Sequence, residues 1–301
     1  MLPADLSVGE ARLRNFLRRE AQWGVTSLTL IESKPGRRVA MLSDIDPAVR
    51  VRVVPAPLTD GSGRLKPESA TVPPQISDPV SVSGMKWWLD GSRLNGHALW
   101  GHRMPMARKH RDRSTLQPQK LDPFSKKAAN RIRSFCFTQS GIARPRPCCE
   151  MEASGGKAVW PARRPRIEHG DGLLPDLISR VSAVGAIVVQ NPTHLQGQDL
   201  FVQRFGRDRF ALQSPFRSLL SAKIKLVLAS DAAAGDPELN PYLNVMLACD
   251  YPGEPNESLT REEAVLAYTG TAAYAEYPED RKGTLEPGKL ADLACRRPNP
   301  S

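Results

Sequence analysis

The sequence predicts an α/β fold built on parallel strands, laid out as a β/α barrel. Three observations carry that prediction. Short apolar runs bounded by turn residues alternate with helical stretches, which requires a parallel sheet with crossover connections. Three stretches set chemically able side chains at or just beyond such runs: Arg166-Ile167-Glu168-His169-Gly170-Asp171, Gln190-Asn191-Pro192-Thr193-His194 and Leu228-Ala229-Ser230-Asp231-Ala232. The intervals, 25 residues from His169 to His194 and 37 from His194 to Asp231, each fit one strand, one loop and one helix. A β/α barrel assembles its active site from such strand-end residues.

The elements follow in order. Residues 7–22 form a helix, because Leu13, Phe16, Leu17 and Ala21 recur at helical spacing among Arg and Glu. Gly24 ends it, and Val25–Ile31 is a strand. Val51–Pro55 is the next strand, after the turn signal Asp46-Pro47. Residues 59–79, rich in Pro, Ser and Gly, read as a loop. Val80–Leu89 is a third strand, ending at Asp90-Gly91-Ser92. Residues 166–169, 186–190 and 225–230 make three more, with a helix at Pro175–Val184 between two of them. Thr260–Tyr268 is a helix with Thr260 as N-cap and Glu263 three residues on, a capping box.

At 301 residues the chain has the size of one barrel or two smaller domains. Fully apolar runs extend over only a few residues, as at Ala186–Val189, too short to span a bilayer. Met1–Trp23 lacks the apolar stretch of a signal peptide, and Asp5, Glu10 and Glu20 argue against a transit peptide. The five Cys include no CxxC pair, which fits reduced thiols in the cytoplasm. The net charge of +10 is concentrated in residues 95–150, which hold 12 Lys and Arg against 3 Asp and Glu. The other residues are nearly neutral. That basic segment shows no sustained period of 2 or 3.6 and is expected to supply no strand and to be disordered. It reads either as a solvated basic insertion or as a stretch never selected for this fold, as a shifted reading frame would produce.

Four residues stand out chemically, each with a plainer alternative. His169 at a strand end is a good zinc ligand, or a hydrogen-bonded barrel histidine. Asp231 after an apolar run can bind a metal and take a proton from water, or cap the next helix. His194 can contact substrate, support the site from behind, or decorate a loop. Lys86 lies in the apolar run Val82–Trp88. Its ammonium binds no metal, but carbamylation by CO2 would make it a carboxylate able to bridge two metals. Otherwise it is a lysine that reaches from a strand end to water.

Together these stretches resemble the metal-dependent amidohydrolase superfamily, and within it the amidohydrolase 3 branch of N-substituted formamide deformylase-like proteins. The resemblance rests on Gly24-Val25-Thr26-Ser27, Gly84-Met85-Lys86-Trp87-Trp88-Leu89-Asp90-Gly91-Ser92 and the three strand-end stretches. Ser258-Leu259-Thr260-Arg261-Glu262-Glu263-Ala264 and Lys282-Gly283-Thr284-Leu285-Glu286-Pro287-Gly288-Lys289-Leu290-Ala291-Asp292-Leu293 extend it. It implies a TIM-type (β/α)8 barrel with one or two zinc ions at the C-terminal strand ends. Lys86, His169 and Asp231 would be metal ligands, and Asp231 also the general base. Asp90 and His194 would touch substrate or support the ligands. The implied reaction is hydrolysis of a C–N bond in a small amide or formamide by metal-activated water, with Asp231 taking and returning the proton.

The family's strand-one His-x-His pair has no counterpart here, nor does its strand-five His-Ala-Ile-Gly-Asp string. The expected barrel is therefore incomplete, lacking strands one and five. Residues 1–94 would carry strands two to four, 95–150 the aberrant segment, 151–282 strands six to eight, and 283–301 a remnant of the return to a β-sandwich. Open barrel edges predict aggregation or pairing with a partner, so an oligomer is possible. Two other classes stay open: an inactive fragment, and a non-catalytic binder of anions or nucleic acid through residues 95–150. No RNP, zinc-knuckle or helix-turn-helix pattern supports specific nucleic-acid recognition.

Overall fold

The computed structural model describes residues 4–43, 49–56, 75–88, 135–139, 151–152, 156–231, 240–251 and 253–295. It opens on helix α1 (Ala4–Gln22), strand β1 (Ser27–Glu32), helix α2 (Pro35–Ser43) and strand β2 (Arg50–Pro55). Short strands β3 (Gln75–Ser77) and β4 (Val80–Val82) lead into β5 (Met85–Trp88). After β6 (Phe135–Gln139) come helix α3 (Gly156–Val159), β7 (Arg166–His169), helix α4 (Pro175–Val184) and β8 (Ile187–Gln190). A 3-10 turn at Pro192–Gly197 precedes helices α5 (Gln198–Phe205), α6 (Arg207–Ala211) and α7 (Phe216–Ser221), then β9 (Leu226–Leu228). Helices α8 (Pro241–Cys249), α9 (Arg261–Tyr268) and α10 (Gly270–Glu276) follow.

The strands form two sheets, ordered β1-β2-β4-β3 and β5-β6-β7-β8-β9. Every pairing is parallel except β3 with β4. The predicted strand Val80–Leu89 is broken at Ser83-Gly84, where Gly84 takes φ 77° and carries the chain from one sheet into the other. The Ser83 amide still donates to the Val53 carbonyl, at 3.1 Å. Two expectations are corrected. Residues 95–150 do supply a strand, β6, paired in parallel with β5 and β7. Part of the predicted loop 59–79 is β3. Among the described residues β1 and β9 each pair on one side only.

Alternation along the strands divides the interior. Ile167, Val188, Leu226 and Leu228 face α4, α7, α8 and α9 in the largest buried cluster. Ile187, Val189 and Val227 face the opposite way, against Ala272, Tyr274 and Ala275 of α10. With both faces covered, β8 is buried at all four positions, as its continuous apolar run requires. Helix α4 matches its predicted bounds, with Pro175 opening it and Gly185 closing it at φ 66°. The capping box of Thr260 and Glu263 on α9 is formed.

Between β1 and β9 lies a cavity of about 420 Å³. Its walls include Glu20 of α1, all six residues of β1 and Val227–Asp231. Glu20 is 2% exposed, its Oε1 accepts no hydrogen bond, and Arg19 Nε is 3.9 Å away. Burial pushes this carboxyl up to about 7 from an ordinary 4.5, with Arg19 pulling the other way. The folded chain therefore holds a proton that the unfolded chain releases between those values. Stability falls as pH rises across that window and stays at the lower level above it. Glu20→Gln is expected to raise the melting temperature at pH 8 and leave it nearly unchanged at pH 4. Equal stabilisation at both would contradict the assignment.

Candidate active site

Strands β7, β8 and β9 deliver their groups to one end of the sheet. His169 closes β7 with φ 71°, and Asp231 lies just beyond β9 with φ 53°. Both occupy the left-handed region, which costs a non-glycine residue on the order of 1 kcal/mol or more. The turn continues through Gly170, where a Cβ would lie 2.7 Å from Val188 Cγ1 and 3.2 Å from Gln190 Nε2. Gln190, fully buried at the end of β8, donates from Nε2 to the carbonyls of His169 and Gly170 at 2.7 and 2.8 Å. That amide holds the turn which aims the His169 ring.

The next residues tie β7 to β9. Asn191 Nδ2 donates to the Ala229 carbonyl at 3.1 Å, which directs Oδ1 at His169 Nδ1, 2.8 Å away. With Oδ1 as acceptor, Nδ1 carries the ring hydrogen and Nε2 keeps the lone pair. The Thr193 hydroxyl donates to the Ser230 carbonyl at 2.9 Å. His194, in the 3-10 turn, lies between two carboxylates. Its Nε2 is 3.3 Å from Asp231 Oδ2 and its Nδ1 is 3.2 Å from Asp171 Oδ2. His169 Nδ1 is 3.6 Å from Asp231 Oδ2. One ring nitrogen of each histidine and one Asp231 oxygen lie within 4.8 Å of one another.

The sequence pattern of the amidohydrolase family matches residues 2–301. The chain belongs to the amidohydrolase family. It is 27% identical over 234 residues to Protein LONG AFTER FAR-RED 3 of Arabidopsis thaliana, covering 74% of this chain and 40% of that protein. It is 30% identical over 134 residues to N-substituted formamide deformylase of Arthrobacter pascens, covering 42% of this chain and 25% of that one. The chain thus spans less than half the length of the curated relatives it matches. Its fold is similar to that of a solved metal-dependent hydrolase of uncharacterised function from Pyrococcus horikoshii. The TM-score is 0.72 at 17% identity, over 92% of this chain and 57% of that one.

The electrostatics of this amidohydrolase-family site favour a neutral imidazole beside a charged carboxylate. Burial, helped by Lys86 and His194, holds the His169 ring below its ordinary value against the pull of Asp231 and Asp171. The neutral ring is the form that ligates metals. Burial alone would raise Asp231, but His194 at 3.3 Å, with His169 and Lys86 nearby, holds it below the usual carboxylate range. Glu168 is likewise held low against burial, by Arg166 at 2.9 Å and by Lys86 and His169.

Of the residues singled out in the sequence, His169, His194 and Asp231 are brought together. Lys86 is 2% exposed and lines the same cavity. The register sets it level with Arg166, three positions before His169. Asp90 lies outside the described residues. Sequence reasoning missed Gln190, Asn191 and Asp171. Each sits inside a stretch already noted, where a buried amide or carboxylate beside a candidate histidine was the available signal. A second cavity, near the starts of β1 and β2, is lined by Arg50 and Asp292 among others. Arg50 is committed to Asp78 and Asp292, each at 2.7 Å. Among the described residues no helix is long and apolar enough to cross a membrane.

Proposed function

We propose that this chain carries the catalytic strand ends of a metal-dependent hydrolase that cleaves a C–N bond in a small amide or formamide. The convergence of His169, His194 and Asp231 at the ends of three successive parallel strands carries this reading. Two imidazoles and a carboxylate are a nitrogen and oxygen donor set that suits zinc. Bound there, zinc would polarise the substrate carbonyl and lower the pKa of a water. Asp231, 47% exposed at its side chain and open to the cavity, takes the proton of the attacking water and hands it to the departing amine. Asn191 and Gln190 hold His169 in place. Lys86, if carbamylated, would add a further oxygen donor for a second ion.

The test is amine release from a panel of N-formyl and N-acyl amines. Release abolished by a chelator and restored by zinc is expected. Release that ignores the chelator, or none from any member with zinc-loaded protein, would sink the proposal.

A further inference from the structure

The geometry points to His194 as a metal ligand in its own right, positioned by Asp171, in a one-metal site with His169 and Asp231 that does not need Lys86. This rests on the reading above that the cluster holds a metal.

The argument begins with lone pairs. Asp171 is 1% exposed, and its Oδ2 faces His194 Nδ1 at 3.2 Å. A buried carboxylate there keeps the ring hydrogen on Nδ1 and leaves the Nε2 lone pair facing Asp231 Oδ2 at 3.3 Å. A ligating histidine is commonly braced in this way, its far nitrogen donating to a carboxylate. His169 is set in the same manner by Asn191, so its Nε2 also keeps a lone pair. One ring nitrogen of each histidine and one Asp231 oxygen lie within 4.8 Å of one another, a spacing that donors around a single cation share. The 3.3 Å separation also matches the edge of a tetrahedron with bonds of about 2.0–2.1 Å, which is roughly 3.3–3.4 Å.

Position argues the same way. His169, His194 and Asp231 follow β7, β8 and β9, which are mutually paired, so the site is indifferent to what occupies the gap between β9 and β1. Lys86 stands three register positions short of His169, among Arg166 and Glu168.

The experiment uses the full chain, stripped of metal and titrated with Co2+ against a chromophoric chelator, with the visible cobalt spectrum recorded. Wild type and Lys86→Met are expected to bind a first ion with the same affinity and a tetrahedral spectrum, whatever a carbamylated Lys86 adds for a second. Asp171→Asn preserves shape but can donate to Nδ1 and move the ring hydrogen to Nε2. It should weaken binding roughly 10–100-fold and alter the spectrum, while the melting temperature of the metal-free protein stays near wild type. Asp171→Glu should recover part of the loss. His194→Ala should abolish tight binding, with His194→Gln taking its place if the alanine variant does not fold. Wild-type affinity in the His194 variants, or loss of the ion in Lys86→Met, overturns the inference and leaves the hydrolase reading standing. Wild-type behaviour in Asp171→Asn overturns the role of Asp171. A wild-type chain that binds no ion overturns both.

Discussion

Asp231→Asn is expected to lower amide hydrolysis by about 10²–10⁴-fold, the usual contribution of a positioned acid–base group. The substitution keeps the shape of the side chain but removes its charge, its basicity and a carboxylate oxygen of the proposed metal cluster. Asparagine tolerates the left-handed backbone that Asp231 adopts at φ 53°. The surrounding bonds from Thr193 to Ser230 and from Asn191 to Ala229 involve main-chain carbonyls and persist. The loss should therefore appear in kcat/KM with the melting temperature almost unchanged. Hydrolysis within threefold of wild type would remove Asp231 from the chemistry.

Phe216→Ala is expected to cost about 3–5 kcal/mol of stability, the range for emptying a buried phenylalanine site. Phe216 has no solvent exposure. Its ring meets Tyr251 edge-on at 6.0 Å, and Tyr251 in turn meets Phe210 at 6.1 Å, which meets Phe201 at 5.8 Å. This chain of rings joins α5, α6 and α7 to the residues after α8, so a void there loosens the support beneath the His194 turn. A domain of this kind has about 5–15 kcal/mol in total, so the variant loses a large share. Tyr251→Phe is the control. It keeps the ring and loses the hydroxyl's bonds to the Phe210 carbonyl and, longer, the Ala211 carbonyl, worth about 1 kcal/mol. Denaturant titration measures both. A shift below 1 kcal/mol for Phe216→Ala would mean that the rings are not packed as described.

Legibility from sequence tracked how locally each feature is determined. Strand β8 is a continuous β-branched run, and α4 opens on Pro175 and closes on Gly185, so local chemistry states both. Strand β6 was hidden. Its Phe135-Cys136-Phe137 core is flanked by cationic residues, and it exists as a strand because β5 and β7 offer edges on both sides. The break between β4 and β5 needed the left-handed turn at Gly84. The placement of His169 and Asp231 at one end of the sheet was legible because each follows a short apolar run. The position of His194 beside Asp231 was not, since it depends on the 3-10 turn and on the Thr193 bond across to Ser230. Asp171 was invisible as a partner of His194 because the two meet only once β7 and β8 are paired.

The left-handed backbone at His169 and Asp231 has a consequence for anyone redesigning this chain. Glycine at either position would relieve the backbone, so conformational strain and the proposed site pull these positions in opposite directions. A redesign scored on backbone strain alone would rewrite both residues early and remove two members of the proposed metal cluster. Holding positions 169 and 231 fixed, and seeking stability in the aromatic chain instead, keeps the two aims from competing.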